Sequence, residues 1–212
     1  VLRTIPETKP EATEKQSTET IFKTLRGYGR VLKDRLFVAF ILASIMMISV
    51  YAQMYSTLSV YLFRVHEIPA QGFGYLMSMN AAMVVLFQYG ITRRTRKAPP
   101  MLMMMLASLL YGIGFTMFGF ISTYALMMAA MAIITIGEMV HFPVSQSLVA
   151  NFAPDEMRGR YMAAYGFSWS IPNTIGPLLA GLVMDNFTPQ WVWYGAGLLA
   201  LVSVLAFTYL FL

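Results

Sequence analysis

The sequence predicts an all-α membrane protein: a six-transmembrane-helix bundle, arranged as two inverted three-helix repeats. Three observations carry that expectation. Of the 212 residues, 58% are hydrophobic and only 12% are charged, whereas a soluble domain carries about 25% charged residues. The charges are also segregated. Leu36–Phe63, Gly72–Thr92, Tyr161–Met184 and Asn186–Leu212 carry none, and Ala98–Pro154 carries one, Glu138. About 20 apolar residues in a helix cross roughly 30 Å of hydrocarbon, and a soluble chain of this size has no interior for so many such stretches. Finally, laying the spans in alternating directions puts all 15 Lys and Arg except Arg64 on one side, the bias that marks the cytoplasmic face. This composition excludes a soluble enzyme and a nucleic-acid-binding domain, and with no cysteine it excludes a disulfide scaffold. The net charge of +5 is read as membrane topology, with no nucleic-acid partner.

Each element follows in order. Residues 1–20 are polar, with two prolines and four glutamates. They bury too little to offset their ordering entropy and are read as a cytoplasmic linker. The chain opens at Val1 without a signal peptide or an initiator methionine, so a piece of a longer polypeptide is expected. Ile21, Phe22, Leu25, Tyr28 and Leu32 recur at helical spacing among Lys23, Arg26, Arg30 and Lys33. Residues 21–35 therefore form a basic amphipathic helix at the membrane surface. The transmembrane domain, 36–212, holds spans a to f at 36–63, 72–92, 98–119, 124–150, 160–184 and 190–212. The long run from Ala98 divides at Gly119–Tyr124. Between d and e, Pro154 suits a helix first turn, and Asp155 and Glu156 favour its positive end. Both termini fall in the cytoplasm if Leu212 ends the last span. The two triplets show no sequence match, so the inverted repeat is compatible with the chain without being read from it.

Polar residues inside the spans are the candidate functional groups. Glu138 sits near the middle of span d. A charged side chain at that depth costs about 2.5–3.5 kcal/mol on insertion scales and faces a bundle interior or wet cavity. Thr135, Glu138, His141 or Phe142, and Ser145 or Gln146 form one stripe on an otherwise apolar helix, and Pro143 kinks it or frees a carbonyl. Glu138 is read as a proton carrier or anchor for a cationic substrate. A structural hydrogen-bonded carboxyl is the plainer alternative, and a metal ligand the remotest, because the Glu138–His141 E-x-x-H spacing occurs once where a di-iron bundle needs two. Span a carries Ser49, Gln53 and Ser56/Thr57, flanked by Tyr51 and Tyr55. Rings beside amide and hydroxyl groups suit a lipophilic cation, and interhelical hydrogen bonding is the alternative. Asn80 in span b is read as structural. In span e, Gly176, Pro177, Ala180 and Gly181 leave a smooth surface for a helix–helix contact that slides or rocks, with Pro172 and Pro177 making the helix easy to bend. The 18 methionines are scattered and read as deformable packing.

Four segments resemble the C-terminal six-helix half of a major facilitator superfamily transporter of the drug:proton antiporter (multidrug efflux) branch. They are Arg-Val-Leu-Lys-Asp-Arg (30–35), Tyr-Ala-Gln-Met-Tyr-Ser-Thr-Leu (51–58), Gly137-Glu138 with Phe-Pro-Val-Ser-Gln (142–146), and Ala-Pro-Asp-Glu-Met-Arg-Gly-Arg-Tyr-Met (153–162) with Gly-Pro-Leu-Leu-Ala-Gly (176–181). The resemblance implies that the chain is half of a twelve-helix fold. Spans a and d would line a central cavity as helices seven and ten, b and e would meet the N-terminal half as eight and eleven, and c and f would be peripheral. Gly90–Lys97 stands where the superfamily has a Gly-rich, Asp-bearing loop but lacks the acid and second glycine, which puts a charge-relay gate there in doubt.

The function implied is proton-coupled export of lipophilic, cationic drugs by alternating access from the plasma (inner) membrane. Glu138 would couple the proton, Gln53, Tyr51, Tyr55, His141 and Phe142 would contact substrate, and Gly176, Pro177, Ala180 and Gly181 would form the interdomain contact. The partners are protons, the small cationic substrate, membrane lipids and the N-terminal half; no cofactor or metal is expected. The alternatives are a sugar or metabolite symporter or uniporter of the same superfamily, which should show more converging polar groups, and a six-span scaffold that does not transport. An intramembrane enzyme is not expected, since the chain has no H-E-x-x-H, no G-x-S-x-G and no paired Asp.

Overall fold

The computed structural model describes residues 27–212, and the described residues are helical with short connections. The linker 1–20 and the first part of the 21–35 helix lie outside the described residues. Residues 27–31 are helical, but the chain turns at Leu32–Lys33, so the surface helix ends before 35. Asp34 then caps the next helix, its carboxylate accepting from the Phe37 N–H at 3.1 Å. This satisfies one of the orphan donors at a helix start.

Span a comprises α1 (Arg35–Ser56) and α2 (Leu58–His66), interrupted only at Thr57. It runs past the predicted boundary at 63 and closes on Glu67, whose left-handed φ of 55° lets its N–H reach the Leu62 and Phe63 carbonyls. Span b is α3 (Ala70–Thr95). Span c is α4 (Pro100–Met117), shorter than 98–119 because Pro99-Pro100 fixes its first turn. Span d is α5 (Tyr124–Phe152), with Pro143 inside it.

Span e departs most from expectation. A 3₁₀ turn at Asp155–Met157 leads into α6 (Arg158–Tyr165), and the helix resumes after Gly166 as α7 (Phe167–Asn186). The N–H groups of Trp169 and Ser170 both bond the Gly166 carbonyl, so the chain tightens into 3₁₀ form there. The Ser168 hydroxyl takes the Tyr165 carbonyl at 2.6 Å, and that of Ser170 bonds Gly166. Span f is α8 (Trp191–Phe211). Five of these helices, α1, α3, α4, α5 and α8, are long and apolar enough to cross a membrane by length and composition. The chain is an integral membrane protein.

Packing supplies what the sequence did not show. The helix α4 packs on α5 and α8, α1 packs on α8 and α7, and α3 packs on α5. Exchanging a with d, b with e and c with f maps this set of pairings onto itself. The two trios run in opposite senses, because three spans separate each helix from its counterpart. This is the two-fold relation of an inverted repeat. Behind, α4, α8 and α1 share a buried hydroxyl chain: Ser203 donates to the Ala43 carbonyl at 3.0 Å and meets the Ser108 hydroxyl at 3.0 Å. Trp193 stacks on Phe115 and meets Tyr61 edge-on. In front, α3 and α7 are the least covered: Val85 is 83% exposed and Leu178 64%. Apolar residues so exposed on a chain of this composition face lipid or another part of the protein.

Candidate functional site

The site is built where α1, α4, α5 and α7 converge, beside α3. Pro143 lacks an N–H, so the Met139 carbonyl one turn earlier is freed of its helical partner. The Gln88 side chain of α3 donates to that carbonyl at 3.0 Å. About three turns earlier on α3 lies Leu76, buried, and between them Asn80, also buried. Asn80 donates to Glu138 Oε2 at 2.7 Å and to Thr135 Oγ1 at 3.0 Å. Thr135 in turn donates to the Met131 carbonyl. The carboxyl at the middle of α5 is therefore held by an amide from the neighbouring span.

An aromatic floor lies next to it. Tyr51 meets Tyr55, Tyr111, Phe142 and Trp169 with ring centroids 5.3–6.0 Å apart, within the range of favourable ring contacts. Phe142 stacks on Trp169 at 5.2 Å. Glu138 and Phe142 are one helical turn apart, hence on one face, and Tyr51 and Tyr111 both lie within electrostatic reach of the carboxyl. Gly137 makes room for this: a Cβ there would sit 3.0 Å from the Tyr111 ring. Tyr55 is 58% and Phe142 36% exposed, so they form the open surface, with Glu138 half-buried beside them.

The structure sorts the predicted residues. Tyr51, Tyr55, His141 and Phe142 come together. His141 is fully buried, stacked on Trp169 with Nε2 3.5 Å from the Tyr165 hydroxyl, so it underlies the floor instead of lining it. Gln53 turns elsewhere. Its amide donates to the Ser49 carbonyl and accepts from Thr57 at 2.6 Å, and it lies on an apolar lateral groove of about 400 Å³ between α1, α7 and α8. Gly176 packs against that amide, where a Cβ would stand 3.1 Å from Gln53 Nε2. Gly176 and Ala180 are thus buried inside this bundle, while Pro177 is exposed and Gly181 half-exposed. The four do not share one face. No group of three or more His, Asp or Glu placed to hold a metal occurs among the described residues.

A lone carboxyl on a proline-bearing helix, two trios related by two-fold exchange and an aromatic inner surface define the architecture. Residues 1–174 and 141–212 match the sequence profile of the Major Facilitator Superfamily. The chain belongs to that superfamily. Among its curated relatives, a Na(+), Li(+), K(+)/H(+) antiporter of Planococcus maritimus is 30% identical over 187 residues, 82% of this chain and 42% of that protein. The MFS-type transporter YdeE of Escherichia coli is 32% identical over 132 residues, 62% of this chain and 32% of that protein. YhjO of Bacillus subtilis is 25% identical over 138 residues, covering 63% and 34%. The chain thus spans well under half the length of these superfamily members. Such relatives are transporters and not enzymes.

Sequence reasoning missed the place of Tyr111, Trp169 and Asn80 in this candidate site. Tyr111 and Trp169 carried no signal, being aromatic residues in apolar spans. The Asn80 signal was present: an amide in a span pairs with something, and Glu138 was the one acid within the apolar run from Ala98 to Pro154.

Proposed function

We propose that this chain is the C-terminal half of a proton-coupled antiporter, in which Glu138 carries either a proton or the positive charge of the substrate. The observation that carries the reading is the half-buried Glu138 carboxyl held by Asn80 beside the exposed rings of Tyr55 and Phe142. A carboxylate next to ring faces attracts a lipophilic cation through charge and quadrupole together, and protonation removes that charge. Drug and proton then compete for one group, and each biases the alternating-access equilibrium by its differential affinity. Spans a and d line the cavity, b and e meet the N-terminal half, and Pro177 and Gly181 supply the outward side of that contact. The Lys/Arg bias supports a cytoplasmic position for both termini, and the plasma (inner) membrane is the location that goes with this reading.

The test uses the full-length transporter in proteoliposomes, with tetraphenylphosphonium as probe and an imposed pH gradient. Glu138→Gln keeps the hydrogen bond from Asn80 only by turning its amide oxygen toward it and cannot titrate. Gradient-driven uptake is expected to fall at least a hundredfold while equilibrium exchange of probe survives in part. Glu138→Asp retains gradient-driven uptake with a shifted pH dependence. Full gradient-driven transport by Glu138→Gln at every pH would return the carboxyl to a structural role.

A second reading has its own support. The Planococcus maritimus relative is named for exchange of Na(+), Li(+) and K(+) against protons, and Glu138 and Thr135, held together by Asn80, offer oxygen atoms that suit such a cation. Proton release on adding sodium to the same liposomes, without a response to tetraphenylphosphonium, would select it.

A further inference from the structure

We propose that the cleft at the basic end of α3 is a binding site for an anionic phospholipid, with its phosphate at Arg93, Arg94 and Lys97 and its acyl chains along α3 and α5. The cleft has a volume of about 860 Å³, and its wall includes Met83, Leu86, Phe87, Ile136 and Met139 as well as the three basic residues. That volume lies within the range of small-molecule sites. The placement follows from the packing. The helices α3 and α4 are consecutive, yet each packs on α5. The cleft runs along α3, with Ile136 and Met139 of α5 in its wall.

The chemistry of the lining selects the occupant. Leu86 is 71% and Phe87 53% exposed, a surface that suits hydrocarbon. At one end only, the surface turns basic, and Arg93, Arg94 and Lys97 are all exposed. The ion pairs among the described residues are Arg64–Asp185 and Arg158–Asp155, so no acid in the described part of the chain neutralises the three. Arg93 and Arg94 also complement the C-terminal dipole of α3, and this explains their sign but not the apolar cleft they close. An apolar trough with a cationic mouth at the cytoplasmic interface matches a lipid whose headgroup is negative and whose chains are long. The inference does not depend on Glu138 or on the transported substrate.

The experiment is native mass spectrometry of the purified full-length transporter, titrated separately with dioleoylphosphatidylglycerol, dioleoylphosphatidylcholine and inorganic phosphate. Phosphatidylglycerol is expected to bind on the order of tenfold tighter than phosphatidylcholine, from the attraction of each basic residue for anionic lipid. Arg93→Gln with Arg94→Gln and Lys97→Gln should abolish that preference, and Arg93→Lys with Arg94→Lys should largely keep it. Leu86→Trp, which fills the trough but leaves the mouth intact, should weaken lipid binding severalfold. Melting temperatures within the wild-type range show that the variants are folded. Equal retention of the two lipids, a preference unchanged in the triple variant, or displacement of lipid by phosphate with no effect of Leu86→Trp would each overturn the proposal. The first is also the result expected if the remainder of the full-length chain covers this cleft.

Discussion

Asn80 shows how one side chain sets the behaviour of another. It spends both amide protons on α5, at 2.7 Å to Glu138 and 3.0 Å to Thr135. Interhelical hydrogen bonds of this kind contribute about 1 kcal/mol each in membranes. Asn80→Leu removes both donors while keeping the bulk. The expected outcome is a full-length protein destabilised by about 1–2 kcal/mol, with gradient-driven transport reduced severalfold because the carboxyl is no longer held in place. Thermal unfolding and transport rates check this, and unchanged values of both would show that the two bonds contribute nothing. Glu138 itself was legible in the sequence, since an acid amid so many uncharged residues must have a purpose. Its partner was legible only in part: an amide in span b had to pair with something, but a span gives no sign of which neighbour its polar face meets.

At the scale of elements, prolines decide local geometry and neighbours absorb the consequence. Pro143 in α5 leaves the Met139 carbonyl without its helical donor, and Gln88 of α3 supplies one at 3.0 Å. The two are coupled, and a double-mutant cycle should reveal it. Gln88→Ala alone is expected to destabilise the full-length protein by about 1 kcal/mol, in the range of interhelical hydrogen bonds in membranes. In a Pro143→Ala background the restored N–H meets the carbonyl, and the same Gln88 substitution should cost close to nothing. Additive losses in thermal unfolding would show that Gln88 acts through its other bond, to Thr92. Pro143 was expected to kink its helix or free a carbonyl, and the Met139 carbonyl is the one freed, but the interruption of span e at Gly166 was not expected. Gly166 precedes a run of serines whose hydroxyls compete for backbone carbonyls, and that local competition carries no periodic signature.

For the whole molecule, orientation is the most exposed expectation. The segment contains no cysteine, so single cysteines introduced at Ile68 and Thr95 of a cysteine-free full-length protein report sidedness directly. A membrane-impermeant maleimide added to intact cells should label Ile68→Cys and leave Thr95→Cys unlabelled until the membrane is opened. The reverse pattern would invert the topology and move the basic cleft of α3 to the outer leaflet. Composition by itself determined that the chain is helical and spans a membrane, and charge placement set the expectation that its basic residues lie on one side. These follow from the cost of burying charge and backbone in hydrocarbon, a cost each segment bears alone. The sequence also marked Glu138 and the rings of span a. Only tertiary structure decided that Tyr51 and Phe142 meet while Gln53 faces Gly176, that Gly176 and Pro177 point to opposite surroundings, and that the two trios interchange by a two-fold relation. Those outcomes depend on which face of each helix meets which neighbour. Hydrocarbon solvates every apolar face alike, so hydropathy cannot choose among them; close packing and a few buried hydrogen bonds do.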